Sequence, residues 1–209
     1  MPRKSASVRR EEILAATVEE IESTGLRTLR VADVAARLGL SPSLVIYHFV
    51  TKEALVAAAF AHAGENDLYR ARRLAAARKS ARERLSDVVR WYMPTGSTRS
   101  WKIWIDGWSA GLFDDGVRST FATLDREWKT ILAGLIVAGI EAEEFRCSEA
   151  GEAVARTADA TAAEVAEGSA TRILAYLDGL AVQLIFNPES VTPATLANWV
   201  DAFVAGELD

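Results

Sequence analysis

Residues 28–55, TLRVADVAARLGLSPSLVIYHFVTKEAL, contain the pattern that decides the fold of this chain. Apolar residues at helical spacing come first and share one helix face: Val31, Val34, Ala35 and Leu38. Gly39 follows them, and a helix end favours glycine because glycine adopts the left-handed conformation without a steric penalty. The pattern therefore predicts a short helix that ends in a glycine turn.

A second short helix follows the turn. Ser41 is a suitable N-cap, and Pro42 is suited to the first helical position. Leu44, Val45 and Phe49 are predicted to face inward. Ser43, Tyr47 and His48 are predicted to be more exposed. Two short helices joined at a glycine turn are typical of the helix-turn-helix motif, whose second helix enters the DNA major groove.

A third helix is predicted to begin after Thr51, with Lys52 in its first turn. The positive end of the helix dipole disfavours a cation at this place. An external anion, such as a DNA phosphate, would explain the lysine.

This region resembles the TetR family of bacterial transcriptional regulators. The matching residues span most of the first sixty positions: Ile13, Leu14, Ala16, Gly25, Thr28, Val31, Val34, Ala35, Gly39, Ser41, Tyr47, Phe49, Lys52 and Leu55. Ile46 departs from the family pattern, in which an aromatic or polar residue is frequent, and this concerns base contacts rather than the fold. The resemblance implies a three-helix DNA-binding domain followed by an all-helical domain that binds a ligand and dimerises.

We therefore expect an all-α fold with a helix-turn-helix DNA-binding domain at residues 1–50 and a ligand-binding and dimerisation domain at residues 51–209. The first helix is predicted to begin after Ser7 and to end at Gly25. Residues 141–168 give no clear pattern, apart from a turn expected near Cys147. The later helices are predicted at residues 51–77, with a kink at Gly64, and at 81–93, 99–113, 117–140, 169–186 and 193–204.

Composition narrows the class of protein. No apolar run reaches the roughly 18–20 residues that span a bilayer. The N-terminus lacks the apolar segment of a secretory signal, and Cys147, the single cysteine, cannot form an intrachain disulfide. These features predict a cytoplasmic protein without a membrane partner.

Charge is distributed unevenly along the chain. The net charge is −5, but residues 1–52 carry eight Arg and Lys against six acids, and residues 53–84 carry seven against four. Residues 85–209 carry nine basic and nineteen acidic residues. A basic first part joined to an acidic remainder suits a protein that contacts DNA at one end. A solvated arginine-rich helix is an equally good interpretation of residues 70–84 considered alone.

The DNA-binding prediction assigns separate roles to the exposed side chains. Ser43 and Leu44 are candidates for base edges, and Ser41 caps the recognition helix. The candidates for phosphate contacts are Thr28, Tyr47, His48 and Lys52. The alternative for Tyr47 and His48 is partial burial with their polar ends in water. Four basic residues near the N-terminus are further candidates for DNA contact or are simply solvated: Arg3, Lys4, Arg9 and Arg10.

Aromatic residues suggest a place for a small-molecule effector of unknown identity. Trp101, Trp104 and Trp108 share one helix face. The full set of predicted ligand-binding residues is Trp91, Trp101, Trp104, Trp108, Trp128 and Tyr176. Polar groups that could orient a ligand are Asp106, Tyr176, Asp178 and Gln183. Such a pocket suits an apolar or a cationic ligand, because tryptophan faces attract cations. The alternative is that these rings belong to the core or to an interface.

A homodimer is required by the DNA-binding interpretation, because one short recognition helix reads few base pairs. The last two apolar helices are the predicted interface, although core packing within one chain is the alternative. The predicted interface residues are Ile173, Leu177, Leu180, Leu184, Leu196, Trp199, Val200 and Phe203.

The predicted function is thus a ligand-responsive transcriptional regulator, a repressor that binds a pseudo-palindromic double-stranded operator as a dimer. An enzyme is disfavoured, because the sequence contains no phosphate-binding glycine loop, no His-x-x-x-His metal pair and no nucleophile elbow. We predict no catalytic residue, no metal site and no cofactor. A helical protein-interaction module is the other alternative, but it leaves the N-terminal motif unexplained.

Overall fold

The computed structural model describes residues 5–94, 98–146 and 161–208, and of residues 98–100 the backbone only. The described chain is built from α-helices and one 3-10 turn, Leu26–Thr28, which agrees with the predicted all-α class. The helices are α1 (Ala6–Thr24), α2 (Val31–Arg37), α3 (Pro42–Phe49), α4 (Lys52–Ala75), α5 (Ala81–Tyr92), α6 (Thr98–Gly111), α7 (Asp115–Glu141), α8 (Ala162–Phe186) and α9 (Pro193–Leu208).

The chain divides into two compact units. The head unit comprises Met1–Asp67 and Ser97–Leu124, and the body unit comprises Leu68–Gly96 and Asp125–Asp209. The head unit therefore adds the first part of α4, together with α6 and the start of α7, to the helix-turn-helix region. The domain boundary predicted at residue 50 stays a prediction. The two compact units divide the chain within α4, after Asp67.

The helix boundaries around the turn follow from local chemistry. The Ser41 side chain accepts a hydrogen bond from the Leu44 amide at 3.3 Å, and Pro42 opens α3, as predicted. Gly25 and Gly39 have φ values of 86° and 64°, a region that glycine enters without strain. Thr51 caps α4 by accepting from the Ala54 amide at 3.1 Å.

One helix start, one helix end and one predicted kink differ from the structure in the first half of the chain. Ser5 rather than Ser7 caps α1, because its hydroxyl accepts from the Val8 amide. α4 ends at Ala75 and is continuous through Gly64. At Gly64 the missing side chain makes room for packing instead, since an added Cβ would lie 2.4 Å from a Leu124 methyl carbon.

The last two helices are longer than predicted. α8 begins at Ala162, seven residues before the predicted start, because Thr161 and Glu164 form a reciprocal capping box. α9 continues to Leu208. The turn predicted near Cys147 lies outside the described residues, as do the side chains of Arg3 and Lys4.

One described helix, α8, is long and apolar enough by length and composition to cross a membrane. α3 and α4 pass the same test only when taken together, and they bend by 72° at their junction. The core helix of a soluble protein passes this test as well, so α8 is weak evidence for a membrane span.

Close packing of α6 against α4 inside the head unit gives a stability prediction. A Cβ at Gly107 would lie 2.3 Å from the ring of Phe60, which is fully buried and has no room to move. We expect Gly107→Ala to lower the free energy of unfolding by about 1–3 kcal/mol, as overpacking does. Urea denaturation measures the change. Gly134→Ala is the matched control on α7, where an added Cβ meets nothing within 4 Å, and this variant should be neutral or stabilised. Equal stability of the two variants would contradict the packing argument.

Candidate DNA interface and effector site

The buried side of the helix-turn-helix fixes its orientation. Val34, Val45 and Phe49 are 0%, 0% and 3% exposed, so α2 and α3 each bury the predicted face. Arg37 at the end of α2 donates to the buried Glu20 of α1, with Nη2 at 2.7 Å and Nε at 3.2 Å from the Glu20 carboxylate. This two-point contact holds α2 against α1, because it fixes the orientation of the guanidinium plane.

The opposite face of α3 is open to solvent. Tyr47 is 79% exposed, Ser43 is exposed, and Leu44 and His48 are half-buried. The Tyr47 and His48 rings meet edge to face, with their centroids 5.5 Å apart. The structure thus brings most of the predicted DNA-contacting side chains of α3 onto one accessible surface.

Hydroxyl groups near this surface are engaged with the protein itself. The Thr28 hydroxyl donates to the Thr24 carbonyl at 2.5 Å, which occupies its proton. Ser41 and Ser43 share a hydrogen bond of 3.0 Å. A DNA phosphate oxygen only accepts hydrogen bonds, so Thr28 would need to break its local bond before it could donate to one. Ser41 acts first as a helix cap.

The junction between α3 and α4 is strained. Val50 has φ 67° and ψ −51°, a conformation that is costly for a β-branched side chain, and it is 77% exposed. The next helix begins two residues later with Lys52, which is half-buried. Lys52 therefore lies in the first turn of α4, at the positive end of its helix dipole, as predicted.

A long-range hydrogen bond ties α6 to the start of the helix-turn-helix. The Asp106 carboxylate accepts from the Leu26 amide at 2.8 Å, just after Gly25. Asp106 was predicted as a polar group that orients a ligand, but the structure commits this carboxylate to the 3-10 turn. Helical periodicity does not reveal this partner, which lies eighty residues away.

The predicted ligand-binding residues fall into both units. The head unit contains Trp101, Trp104 and Trp108 on α6. Trp104 meets Phe60 at 5.1 Å between centroids, whereas Trp108 meets Trp101 at 6.3 Å and Phe121 at 5.8 Å. These rings pack on one another, and among the described residues the buried Nε1 of Trp108 has no hydrogen-bond acceptor.

In the body unit two of the predicted ligand-binding residues are already engaged. The Arg70 guanidinium lies 4.3 Å from the centroid of the Trp91 ring. Tyr176 stacks on Phe203 with a centroid distance of 4.0 Å and an interplanar angle of 7°. Their π faces are therefore less available to a ligand than the sequence suggested.

The third body-unit residue, Trp128, lies in a cluster that we call the acid–aromatic cluster: Tyr92, Trp128 and Asp178. The Tyr92 and Trp128 rings meet edge to face at 4.7 Å and 80°. The Tyr92 hydroxyl donates to the Asp178 carboxylate at 2.7 Å. Trp128 is 5% exposed. Two rings and a carboxylate thus converge from α5, α7 and α8.

Burial raises the pKa of Asp178 to about 6, and the nearby Asp125 carboxylate acts in the same direction. The hydrogen bond from Tyr92 and the charge of Lys129 lower this pKa but do not offset the burial. The charged carboxylate is therefore incompletely stabilised near pH 7. A cationic ligand would stabilise it, and the two rings would add attraction for the cation.

Asp178 was predicted only as one of several polar groups, but its surroundings in the sequence carry a clear signal. It is the single charged residue in positions 173–186, which are otherwise apolar except for Tyr176 and Gln183. Tyr92 was not among the predicted ligand-binding residues. Its pairing with Asp178 joins residues that are 86 positions apart, which periodicity does not reveal.

Comparison with known families agrees with this geometry. Residues 13–59 match the family model of bacterial regulatory proteins of the tetR family. Residues 81–163 and 152–209 match the model of the C-terminal region of BetI-type transcriptional repressors. The chain belongs to the TetR family of transcriptional regulators. Its helix-turn-helix is therefore a DNA-binding domain, and the resemblance stated from the sequence is confirmed.

One curated relative and two solved structures are also similar to this chain. The HTH-type transcriptional regulator BetI of Burkholderia cenocepacia is 33% identical over 111 residues, which span 51% of this chain and 57% of that protein. A transcriptional regulator from Saccharomonospora viridis, solved in complex with choline, superposes with a TM-score of 0.80 at 24% identity over 97% of this chain and 98% of its own. A regulator from Rhodococcus sp. RHA1 superposes with a TM-score of 0.76 at 21% identity, covering 95% of each chain.

The histidines do not form a metal site. His62 lies in α4, where its Nδ1 is 3.3 Å from the Glu11 carboxylate. Over residues 5–94, 98–146 and 161–208 no group of three or more His, Cys, Asp or Glu residues is placed to hold a metal ion.

The position of Lys52 gives a test of the phosphate contacts. We expect Lys52→Ala to weaken binding to all duplex sequences and to reduce the slope of log K against log salt by about 0.9 per protomer, the value for one lost phosphate contact. Tyr47→Phe should weaken binding to all sequences too, through loss of its hydroxyl. Fluorescence anisotropy with a selected operator and a scrambled duplex measures both. Lys129→Ala, which removes a lysine paired with Asp125 in the body unit, is the control. Unchanged affinity in both test variants, with unchanged thermal melting, would reject the phosphate assignments.

Proposed function

We propose that this regulator is a repressor that binds a pseudo-palindromic operator as a homodimer and leaves it when a quaternary ammonium cation binds. The observation that carries the effector proposal is the acid–aromatic cluster of the body unit. The proposal assigns effector binding to Tyr92, Trp128 and Asp178, and it assigns DNA binding to the exposed face of α3 together with Lys52.

The chemistry of the cluster favours a cation without hydrogen-bond donors on its charged centre. A quaternary ammonium group is attracted by aromatic faces and by a carboxylate, yet it loses little hydration on burial compared with an ammonium ion. Asp178 is half-buried, and burial raises its pKa to about 6 although it accepts the hydrogen bond from Tyr92, so its charged form is favoured less than that of an ordinary aspartate. A cation bound beside it would stabilise the charged form.

One comparison supports a ligand of this class. A structural relative of similar length was solved with choline. Its identity of 24% supports a shared fold, so the choice of choline depends on the acid–aromatic cluster itself. Choline is therefore the first compound to test, with tetramethylammonium as an analogue that lacks the hydroxyl group.

The surface of the last two helices supports a dimer, with a narrower set of residues than the sequence predicted. Ile173, Leu177, Leu196 and Val200 are 0–2% exposed in the single chain, so they already belong to its core. Trp199 is 46% exposed, and Phe186 at the end of α8 is 72% exposed. We therefore assign the interface to Phe186 and to the predicted residues that keep accessible surface: Leu180, Leu184, Trp199 and Phe203.

A dimer also satisfies the geometry of DNA recognition. Two recognition helices read successive major grooves when they are separated by one helical turn of DNA, roughly 34–36 Å. A ligand that binds more tightly to a conformer with a different separation lowers the affinity for the operator. Its difference in affinity between the two conformers sets the size of the effect.

Helix continuity supplies a route for that change. Trp128 lies one helical turn after Leu124 on α7. In the head unit Leu124 packs against Gly64 of α4, where there is no space for a Cβ. α4 in turn begins directly after the recognition helix. In this proposal a shift of α7 at Trp128 is passed along the helix to Leu124 and from there to α4.

Membership of the TetR family favours this function over the two alternatives. An enzyme or a helical interaction module would leave the DNA-binding face of α3 without a role. We further propose that the regulator acts in the cytoplasm, where its DNA target is accessible.

The decisive experiment measures release of DNA by choline. A fluorescent operator duplex, selected from genomic fragments that the protein binds, is titrated with the dimer in the presence of choline chloride or sodium chloride at equal ionic strength. Salt itself weakens DNA binding, so only the difference between the two salts reports the effector. We expect choline to weaken operator binding beyond the sodium control. Identical titrations in both salts, with tetramethylammonium equally inactive, would refute this class of effector.

Variants locate the effector site. Asp178→Asn keeps an acceptor for the Tyr92 hydroxyl but removes the charge, and we expect it to weaken choline binding at least tenfold, about the value of a lost charge contact. Asp87→Asn removes an acid paired with Lys79 elsewhere in the body unit and should bind choline normally. Isothermal titration calorimetry gives the affinities. If Asp87→Asn and Asp178→Asn bind choline with equal affinity, the acid–aromatic cluster is not the effector site.

The raised pKa of Asp178 predicts the pH dependence of choline binding. The carboxylate, whose pKa is about 6 instead of its ordinary 3.8, gains a proton as the pH falls through that value and then no longer attracts a cation. Choline itself keeps its charge throughout. We expect choline affinity to fall roughly tenfold between pH 7.5 and pH 5, as expected for loss of one ionised group. The Asp178→Asn variant should lack this dependence, and an equal pH effect in both proteins would contradict the assignment.

A further inference from the structure

The C-terminal end of the recognition helix is held by a side chain from α1. The Arg10 guanidinium donates through Nη1 to the His48 carbonyl at 2.7 Å. Its Cζ lies 4.1 Å from the centroid of the Phe49 ring, which is 3% exposed. One guanidinium therefore contacts both the backbone and the buried anchor at the last turn of α3.

This end of α3 needs such support. The helix has eight residues, and its last carbonyl groups have no partners within the helix. It ends without a glycine, at Val50, whose amide donates to the Ile46 carbonyl at 2.7 Å while its backbone has a positive φ. A cation at a helix C-terminus also interacts favourably with the negative end of the dipole. Arg10 thus provides a hydrogen-bond donor and a positive charge at the C-terminal end of α3.

We propose that Arg10 is a positioning residue for DNA recognition. It fixes the last turn of α3 against α1, so that Tyr47 and the start of the helix keep one orientation toward the major groove. This role differs from the direct DNA contact for which the sequence made Arg10 a candidate. The neighbouring Arg9 does not share it, because Arg9 pairs with Glu12 on its own helix at 3.0 Å.

Salt dependence separates positioning from a phosphate contact. A positioning residue affects the fit of the helix to base edges, so its loss lowers specific binding and leaves the number of neutralised phosphates unchanged. A phosphate contact affects all sequences equally, and its loss reduces the salt slope by about 0.9.

The experiment compares Arg10→Ala, Arg10→Lys and Arg9→Ala by fluorescence anisotropy, with the selected operator and a scrambled duplex, at about 50 to 200 mM salt, the range in which the slope is well defined. We expect Arg10→Ala to lose about tenfold in operator affinity, as for a lost hydrogen bond from a charged donor, with little change for the scrambled duplex and an unchanged slope. Arg10→Lys should restore part of the operator preference, because its ammonium group also donates to a carbonyl. Arg9→Ala should keep the full preference.

Amide hydrogen exchange at Val50 provides a second measurement without DNA. Exchange at this amide should be faster in Arg10→Ala than in the natural protein and in Arg9→Ala, because the last turn of α3 has lost its support. Equal weakening of operator and scrambled DNA with a reduced slope would overturn the proposal in favour of a phosphate contact. The proposal would also be overturned if Arg10→Ala lost binding to both duplexes because the head unit had melted. Unchanged hydrogen exchange at the Val50 amide would overturn it as well.

Discussion

The anchoring of one short helix is the constraint on which the rest of this structure depends. A helix of eight residues does not persist by itself in water, because too few hydrogen bonds offset the cost of nucleation. Val45 and Phe49 hold α3 by burial, and Ser41 closes its first turn. Only because this side is fixed can the opposite side, with Ser43 and Tyr47, present a defined surface to DNA.

Local chemistry predicted the head unit well. Caps, glycine turns and helical spacing act over a few residues, and Gly25, Gly39, Ser41 and Thr51 mark boundaries where the structure has them. The errors were also local. Ser5 and Ser7 are both suitable caps, so residue type alone does not decide between them. The capping box of Thr161 and Glu164 lies in an alanine-rich stretch, where few large apolar residues mark a helix face.

The effector site was harder to predict because it depends on contacts between distant parts of the chain. Spacing placed Trp101, Trp104 and Trp108 on one helix face, but it does not say what that face meets. In the structure these rings pack on Phe60 and on one another. Meanwhile Tyr92, Trp128 and Asp178 meet from three helices. Composition identifies aromatic residues, and only the tertiary structure shows which of them adjoin the half-buried Asp178.

The backbone of Val50 has a consequence for how the head unit unfolds. A β-branched residue tolerates positive φ only while its surroundings enforce it, and such strain is of the order of 1–3 kcal/mol. Unravelling of either adjoining helix would relieve that strain at once. Partial fraying is therefore followed easily by loss of the whole junction, so α3 and the start of α4 should behave as one cooperative element, either fully formed or absent. The head unit therefore presents to DNA either a complete recognition surface or none.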